Sequence, residues 1–318
     1  MNRREFLKQA TATAASLVAT RCLHASAPTS LQTYVYKTAG GCEIKADVYG
    51  SDASIRKPVI LWIHGGALIF GSRAAPPDWL NPDGRYLVVS IDYRLAPETK
   101  LEVIIEDLRD ACRWLHDRGP KLFRMDPERI AVTGQSAGGF LALMSGFSVN
   151  PRPRVLLALS GYGDITRPWY TRPSQFYLQQ APVSKEEAYR LVGTDCTSGS
   201  PEEDDRRSKF YLYCRQQGIW PKVVADHDPD VENRWFDPYC PVRNVSASYP
   251  PTILIHGTAD TDVPFQESVN MKRKLAHFKV KHDFLRVPGG SHCLWRESLA
   301  VKAPIFRKAM DLVSAHLS

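Results

Sequence analysis

The stretch AVTGQSAGGF, residues 131–140, places one serine between closely spaced glycines directly after a β-branched run. Glycine is costly inside a regular element, so its repeated use here needs a local reason. The run before it predicts a strand, and a helix is expected to begin near Ala137. Ser136 then lies on the sharp turn between them, where a side chain at Gly134 or Gly138 would collide with the neighbouring strand or helix. The pattern favours a serine that stands clear at the tip of a strand.

A serine hydroxyl becomes a good nucleophile only when a base accepts its proton and a third group orients that base. His292, in VPGGSHCLW, lies in a glycine-rich loop after a predicted strand and is the expected base. The loop in TILIHGTADTDVPF offers Asp260 and Asp262 as the acid. We expect Asp260 to orient His292 and Asp262 to form an Asx-turn. The chain order Ser136, Asp260, His292 is the one expected of nucleophile, acid and base on successive strand ends.

Backbone N–H donors are needed to stabilise the oxyanion that forms when a serine attacks a carbonyl group. Ala137, at the start of the predicted helix, supplies one donor. The sequence HGGA follows a buried strand, and Gly66 and Ala67 of this loop are expected to supply the others. Gly65 gives the loop flexibility, and His64 is expected to brace it rather than to act as a base.

These motifs together resemble one superfamily. HGGA, DYRLAPE, GQSAG, HGTADTDVP and GGSH are similar to motifs of the α/β-hydrolases, most of all the acetyl esterase/lipase branch near the hormone-sensitive-lipase-like enzymes. The match extends over about residues 32–315. The resemblance implies a carboxylic ester hydrolase that needs no cofactor and no metal. Its implied roles are Ser136 as nucleophile, His292 as base and Asp260 as orienting acid, with oxyanion donors at Gly66, Ala67 and Ala137.

Three features depart from that branch. Ala67 replaces the usual third glycine, at little cost because the donor is a backbone group. Gln135 replaces the aspartate of the usual G-D-S-A-G. The acid motif HGTAD resembles that of feruloyl-esterase-like and prolyl-oligopeptidase-like hydrolases rather than the D-P-L form of this branch. The substrate class is therefore less well specified than the catalytic residues.

Strand-like and helix-like segments alternate from Gln32 onward, which predicts an α/β-hydrolase fold with a mostly parallel central sheet and helices on both faces. A hairpin is expected around Gly40 and Gly41, and one helix is expected to end at Gly119. A strand is expected to end at Thr133, and a C-terminal helix to run from Leu294. The predicted strands are TYVYKT, EIKADVYG, PVILWIH, YLVVSID, RIAVTG, RVLLALSG, PTILIHG and HDFLRVPG.

Residues 161–250 separate two of these strands and predict an inserted lid, while 28–160 and 251–318 form the hydrolase core. This 161–250 segment has helical patterns over 185–192 and 201–217 and is rich in bulky aromatic residues. Most of these rings are expected to form the lid's own core, and a few to face the pocket. Together with Leu68, Ile69 and Phe70 they predict a short, closed acyl pocket that favours acetyl to butyryl esters.

The first 27 residues have the pattern of an export signal: a basic start, a moderately apolar stretch and an A-x-A cleavage site at Ala25 to Ala27. NRREFLK, residues 2–8, resembles the twin-arginine motif, so the protein is expected to be exported, periplasmic or extracellular, with a mature chain that starts at Pro28. Without residues 1–27 the net charge falls from +7 to +4, which does not favour a nucleic-acid partner. The apolar stretch is shorter than the about 20 residues of a membrane span.

Six of the seven cysteines lie outside that signal, and none has C-x-x-C spacing, so a metal or redox site is not indicated. If a disulfide forms, we expect it among Cys196, Cys214 and Cys240. Two other functions stay open beside an esterase for a small-molecule ester. One is a serine exopeptidase of the prolyl-oligopeptidase type, and the other is a non-catalytic binding protein on a hydrolase scaffold.

Overall fold

The computed structural model describes residues 31–51, 55–199, 203–294 and 297–318. The predicted signal, residues 1–27, lies outside the described residues. Within these ranges one eight-stranded sheet has the order β1-β2-β4-β3-β5-β6-β7-β8. Its strands are β1 (Leu31–Ala39), β2 (Cys42–Tyr49), β3 (Lys57–Ile63), β4 (Leu87–Ile91), β5 (Met125–Gln135), β6 (Val155–Leu159), β7 (Thr252–Gly257) and β8 (His282–Val287).

The α-helices of the described ranges are α1 (Leu101–Leu122), α2 (Ala137–Ser148), α3 (Pro168–Thr171), α4 (Lys185–Arg190), α5 (Asp204–Gln217), α6 (Trp220–Ala225), α7 (Gln266–His277) and α8 (Leu299–Leu317). Short 3₁₀ turns cover Asp78–Leu80, Tyr177–Gln179, Asn233–Tyr239 and Pro241–Arg243. None of the helices in this part of the chain is long and apolar enough to cross a bilayer.

Strands β3 to β8 run parallel to one another, whereas β1 and β2 form an antiparallel hairpin that joins β4 through β2. Gly40 and Gly41 have φ values of +60° and +81°, the conformation that a tight hairpin turn requires. All eight predicted strands are present. The prediction of a mostly parallel sheet is confirmed.

The two faces of the sheet bury two separate apolar clusters, because successive side chains of a strand point to opposite faces. On β3, Val59, Leu61 and Ile63 pack with α1 and α2, while Ile60 and Trp62 pack with α8 on the other face. Helices therefore cover both faces of the sheet, as the alternation of elements predicted.

The strand order reverses at β3, since the chain passes from β3 to β4 on one side and then to β5 on the other. The connections that leave the carboxyl ends of β3 and β5 therefore lead to opposite sides, and a crevice is expected between the loops that follow these strands. His64 to Ala67 follow β3, and Ser136 follows β5. The fold thus brings these two predicted parts of the site to one place.

Several boundaries differ from the prediction. Strand β5 continues past Thr133 to Gln135, and the last helix begins at Leu299 rather than at Leu294. Helix α1 continues past Gly119 to Leu122. A Cβ at Gly119 would lie 2.3 Å from the sulfur of Met125, so this glycine allows close packing of α1 on β5 and is not a helix cap.

The disulfide prediction was wrong about the partner. Cys196 pairs with Cys42, at the start of β2, with a Cα–Cα distance of 6.0 Å. Cys214 and Cys240 are buried and unbridged. The prediction looked only within the 161–250 segment, but the loop after α4 lies against the β1–β2 hairpin, where a Cβ at Gly40 would be 3.6 Å from the Cys196 sulfur.

Helices α3 to α6 all belong to the 161–250 segment, between β6 and β7. Helices α4 and α5 correspond to the two helical patterns predicted there. Helix α4 ends at Arg190 rather than at residue 192, and α5 begins at Asp204 rather than at residue 201. The rings of Tyr170 and Trp220 are stacked, with centroids 4.1 Å apart, and fully buried. Aromatic residues of this segment pack with one another, but they belong to the same apolar cluster as the side chains of β3 and α2 rather than to a separate core.

Candidate active site

Ser136 occupies the sharp turn between β5 and α2, with φ of 54° and ψ of −118°. A non-glycine residue with positive φ is uncommon and strained. A Cβ at Gly138 would lie 2.0 Å from the carbonyl oxygen of Ile63, and one at Gly134 would lie 2.5 Å from the backbone of Gly138. The flanking glycines are therefore required by close backbone contacts, which is the reason that the sequence pattern predicted.

Asp260 and His292 are in direct contact, with 2.8 Å between Asp260 Oδ2 and His292 Nδ1. The other oxygen of Asp260 accepts the backbone N–H groups of Asp262 and Val263, both at 2.9 Å. The Asx-turn predicted for Asp262 is therefore formed by Asp260, because its buried carboxylate has two oxygens and serves both partners. The side chain of Asp262 instead accepts a hydrogen bond from Tyr211 Oη at 2.7 Å.

His256 is a second imidazole on Asp260 that the sequence analysis missed. Its Nε2 lies 3.1 Å from Asp260 Oδ2 and 3.0 Å from the carbonyl oxygen of Val263, so Nε2 carries a proton. Its Nδ1 lies 2.7 Å from Ser268 Oγ. The available signal was a histidine inside a buried strand whose only other polar residue is Thr252, four residues before the acid.

Asp260 is held in its charged form. Burial alone would raise the pKa of this carboxyl, but the hydrogen bonds from His256 and His292 outweigh burial and lower the pKa below its usual range. Burial likewise lowers the pKa of His292, but the carboxylates of Asp262 and Asp260 outweigh it and raise that pKa above the ordinary 6.5. His292 is therefore a stronger base than a free imidazole.

Gln135 connects the serine turn to the histidine loop. Its side-chain amide donates a hydrogen bond to the carbonyl oxygen of His292 at 3.1 Å. An aspartate, the usual residue of the resembled branch at this position, has no donor for this contact. The departure from G-D-S-A-G thus has a structural consequence in this chain.

The loop after β3 packs against the serine. A Cβ at Gly65 would lie 3.0 Å from the carbonyl oxygen of Gln135 and 3.5 Å from the Cβ of Ser136. Gly66 and Ala67 follow with φ values of +100° and 55°. A side chain at Gly66 cannot be accommodated, because its Cβ would be 1.9 Å from the carbonyl oxygen of Phe70.

Ala137 is the first residue of α2. The first N–H groups of a helix have no partner within it. The three expected oxyanion donors therefore belong to two backbone segments next to Ser136, the loop after β3 and the first turn of α2.

His64 braces this loop and is a poor base. Its Nδ1 lies 2.7 Å from the carbonyl oxygen of Gly65, and its ring stacks on Tyr93 with centroids 4.3 Å apart. Burial lowers the pKa of His64 to about 4, so the ring is neutral at neutral pH.

Three residues of the 161–250 segment hold the same loop, and sequence reasoning identified none of them in this role. Trp220 Nε1 donates to the carbonyl oxygen of Ala67 at 2.8 Å. Arg207 Nε donates to the carbonyl oxygen of Ile69 at 2.6 Å. Asp204 Oδ1 accepts the backbone N–H of Gly71 at 2.8 Å. The position of the loop beside Ser136 thus depends on this segment.

The charged residues of DYRLAPE form ion pairs rather than a reactive site. Glu98 accepts two hydrogen bonds from the guanidinium of Arg207, at 2.9 and 2.7 Å. Arg94 pairs with Asp107 at 2.6 Å. Asp92 pairs with the guanidinium of Arg73 at 2.5 Å. This motif fixes the segments around the HGGA loop.

A cavity of about 850 Å³ contains both Ser136 and His292. Its aromatic wall is a series of neighbouring rings, those of Phe70, Phe176, Tyr177 and Tyr211. Of the three loop residues expected to line the pocket, only Phe70 does so, because Leu68 and Ile69 are fully buried beneath the loop. In the described parts of the chain, no group of three or more His, Cys, Asp or Glu side chains could hold a metal ion.

Comparison with known proteins gives a family match over most of the chain. The sequence model of a family described as alpha/beta hydrolase fold matches residues 60–296. Among curated proteins, the chain is similar to the non-reducing polyketide synthase stbA of Stachybotrys bisbyi, 30% identical over 314 residues, 85% of this chain and 14% of that protein. It is 31% identical over 307 residues to the non-reducing polyketide synthase ascC of Acremonium egyptiacum, 84% of this chain and 14% of that protein. The chain spans about one seventh of the length of these relatives.

Solved structures with the same fold come from several bacteria. A protein of unknown function from Staphylococcus aureus has a TM-score of 0.73 at 20% identity, over 90% of this chain and 100% of that one. The esterase LipW from Mycobacterium marinum has a TM-score of 0.63 at 20% identity, over 92% and 83%. The acetyl ester-xyloside bifunctional hydrolase from Caldicellulosiruptor lactoaceticus has a TM-score of 0.60 at 20% identity, over 86% and 88%. At this level of identity the likeness shows the fold alone.

Proposed function

Because the chain belongs to the α/β-hydrolase family, we propose that it is a serine carboxylic ester hydrolase that acts on short-chain acyl esters. Ser136 is the proposed nucleophile, His292 the base and Asp260 the acid that orients the base. The observation that carries the proposal is the 2.8 Å contact between Asp260 Oδ2 and His292 Nδ1. It leaves Nε2 of the same ring for the serine proton, and Ser136 and His292 line one cavity.

In the proposed reaction, Ser136 Oγ attacks the ester carbonyl carbon while its proton moves to Nε2 of His292. Asp260 keeps Nδ1 protonated and stabilises the imidazolium that forms. The oxyanion is stabilised by three backbone N–H groups, those of Gly66, Ala67 and Ala137. His292 then gives its proton to the departing alkoxide, which leaves an acyl-enzyme. Water, activated by the same base, hydrolyses this intermediate and frees the acid.

The experiment that tests this function is turnover of chromogenic acyl esters beside aminoacyl and prolyl amides, with Ser136→Ala as the control variant. Hydrolysis of the esters that is lost in Ser136→Ala supports the esterase. Faster hydrolysis of prolyl amides favours the serine exopeptidase. Absence of turnover on both substrate classes, with the fold intact by circular dichroism, favours the binding protein.

A polyketide acyl group is a second candidate substrate, suggested by the names of the curated relatives. The cavity of about 850 Å³ also has room for a group larger than a short acyl chain. Ligand pockets are typically roughly 300–1,000 Å³ in volume. A preference for large aromatic or long-chain acyl esters over acetyl and butyryl esters would favour this candidate.

We also propose that the protein is exported by the twin-arginine route to the periplasm or the medium. The disulfide between Cys42 and Cys196 supports this proposal, because disulfides persist in oxidising compartments. Replacing Arg3 and Arg4 by lysine and following the protein in cell fractions tests the route. Unchanged export would exclude it.

A further inference from the structure

A second carboxylate approaches the proposed base at the nitrogen that faces the reaction. Asp262 Oδ2 lies 3.6 Å from His292 Nε2, while Asp260 Oδ2 holds Nδ1 at 2.8 Å. A separation of 3.6 Å is just outside hydrogen-bond distance. Since Nε2 receives and returns the proton in the proposed reaction, the position of Asp262 bears directly on that step.

The other oxygen of Asp262 is held by helix α5. Tyr211 Oη donates to Asp262 Oδ1 at 2.7 Å, and Arg215 Nη1 donates to the same oxygen at 3.1 Å. Arg215 Nη2 also donates to the backbone carbonyl of Asp262 at 3.2 Å. Three contacts from α5 therefore hold this residue in place, two of them on the carboxylate oxygen that does not approach His292.

Arg215 is itself fixed by an aromatic box. Its side chain is 3% exposed. Its guanidinium carbon lies 4.8 to 5.7 Å from four ring centroids, those of Trp169, Tyr170, Tyr177 and Tyr211. Cation–π contacts of this kind stabilise a buried guanidinium without neutralising it. The 161–250 segment thus places a permanent positive charge behind Asp262.

We propose that Asp262, tethered by Tyr211 and Arg215, is a positioning residue for His292, and that α5 controls through it how firmly the base holds its proton. The inference rests on the proposed function, because it takes His292 as the base. Asp262 itself accepts no proton: the proton passes from Ser136 Oγ to His292 Nε2 and then to the leaving oxygen. The carboxylate stabilises the imidazolium between these two transfers, and the tether prevents a full hydrogen bond that would compete with the leaving group.

The charged groups around His292 act in opposite directions. Burial lowers the pKa of His292, Asp262 and Asp260 raise it, and Arg215 lowers it. His256 reaches the ring only through Asp260. Tyr177 and Tyr211 also face Asp262, and burial raises the pKa of both phenols, so they are neutral at the pH of assay. Removing the charge of Asp262 and removing the charge of Arg215 should therefore have effects of opposite sign on the base.

The test is the pH profile of kcat/KM for Asp262→Asn and Arg215→Gln, with Arg206→Gln as the matched control on the same helix. Arg206 is exposed and pairs with Glu203, so its profile should equal that of the unmodified protein. In Asp262→Asn the acidic limb should move to lower pH by roughly one unit, as expected when an opposite charge within about 4 Å is removed. In Arg215→Gln the limb should move to higher pH, because the released carboxylate can approach Nε2.

Shifts of the same sign in both variants, or no shift in either, would overturn the proposal. If Arg215→Gln does not fold, Tyr211→Phe can be used, because it removes one hydrogen bond to Asp262 without removing a charge. The acidic limb of its pH profile should also move to higher pH. NMR titration of the His292 ring in the same variants gives a readout that does not need turnover. If the His292 titrations shift in opposite directions in the two variants but Ser136→Ala keeps full activity, the proposed function alone is refuted. If Ser136→Ala is inactive but the His292 titrations do not shift in either variant, the inference alone is refuted.

Discussion

Gln135 connects two parts of the proposed site through one donor atom, the nitrogen of its side-chain amide. Its amide holds the carbonyl of His292, and Ser136 follows it in the chain. Gln135→Glu keeps the size of the side chain but removes the donor. We expect kcat/KM on an acyl ester to fall by about tenfold, the effect of losing one hydrogen bond of roughly 1.4 kcal/mol. Gln180→Glu, which adds the same charge elsewhere on the cavity wall, should have a much smaller effect. Equal losses of kcat/KM in the two variants would mean that the added charge, and not the lost hydrogen bond to His292, is responsible.

His292 sets the pH dependence of the proposed reaction. Burial lowers its pKa, but Asp262 and Asp260 raise it to a net value above the ordinary 6.5. A general base must be unprotonated to accept the serine proton, so a raised pKa moves full activity to higher pH. We expect kcat/KM to rise with pH through a midpoint above 6.5 and then to level off. A midpoint at lower pH, measured with correction for spontaneous ester hydrolysis, would contradict this account of the ring.

Helix α5 connects the 161–250 segment to the core through a buried ion pair. Arg207 and Glu98 form a bidentate pair whose side chains are 2% and 1% exposed. Removing one partner of a buried pair leaves an uncompensated charge and costs about 3–5 kcal/mol. Arg207→Gln should therefore lower the free energy of unfolding by that amount in urea titrations. It should also lower kcat, because Arg207 holds the carbonyl of Ile69 in the loop beside Ser136.

Lys209→Gln is the matched control on α5, because its pair with Glu187 is exposed on both sides. Exposed pairs contribute little, so this variant should unfold at the same urea concentration as the unmodified protein. Similar losses in both variants would show that α5 tolerates no charge change, and would remove the argument for a specific anchor at Arg207.

The strands were predictable from the sequence because each is a short apolar or alternating run bounded by turn residues. The ends of the helices were harder to predict. Gly119 looks like a helix cap, and only its packing distance from Met125 reveals another role. The position of Ser136 on a sharp turn and the contact of Asp260 with His292 were predictable, because local backbone geometry and chain order restrict where these residues can lie.

Contacts between distant segments could not be predicted in this way. Arg215 and Asp262 are 47 residues apart, and Cys42 and Cys196 are 154 residues apart. No local pattern marks such pairs, since their meeting depends on how the 161–250 segment lies on the core. His256 differs from these cases, because a histidine within an apolar strand was visible in the sequence.

The whole molecule presents one cavity between the hydrolase core and the 161–250 segment that contains Ser136 and His292, within the described ranges. Phe70 and Tyr211 lie on its wall and come from the two sides. Each methylene that an apolar pocket accommodates stabilises the transition state by about 0.8 kcal/mol, or roughly fourfold in rate. The proposed preference for short acyl chains should therefore appear as an early maximum, after which added methylenes no longer raise the rate. We expect kcat/KM for p-nitrophenyl esters to peak between acetyl and butyryl and to be low at about ten carbons and beyond. A maximum at the long end, or a jump in rate above the solubility limit, would indicate a lipase.

The central claim is that Ser136 is the nucleophile, and covalent labelling tests it most directly. The protein is treated with a fluorophosphonate, which reacts with activated serines, and the modified peptide is located by mass spectrometry. We predict one label per chain, on Ser136, that an ester substrate slows and that Ser136→Ala abolishes. A label on another residue, or ester hydrolysis that continues in Ser136→Ala at the original rate, would contradict the account.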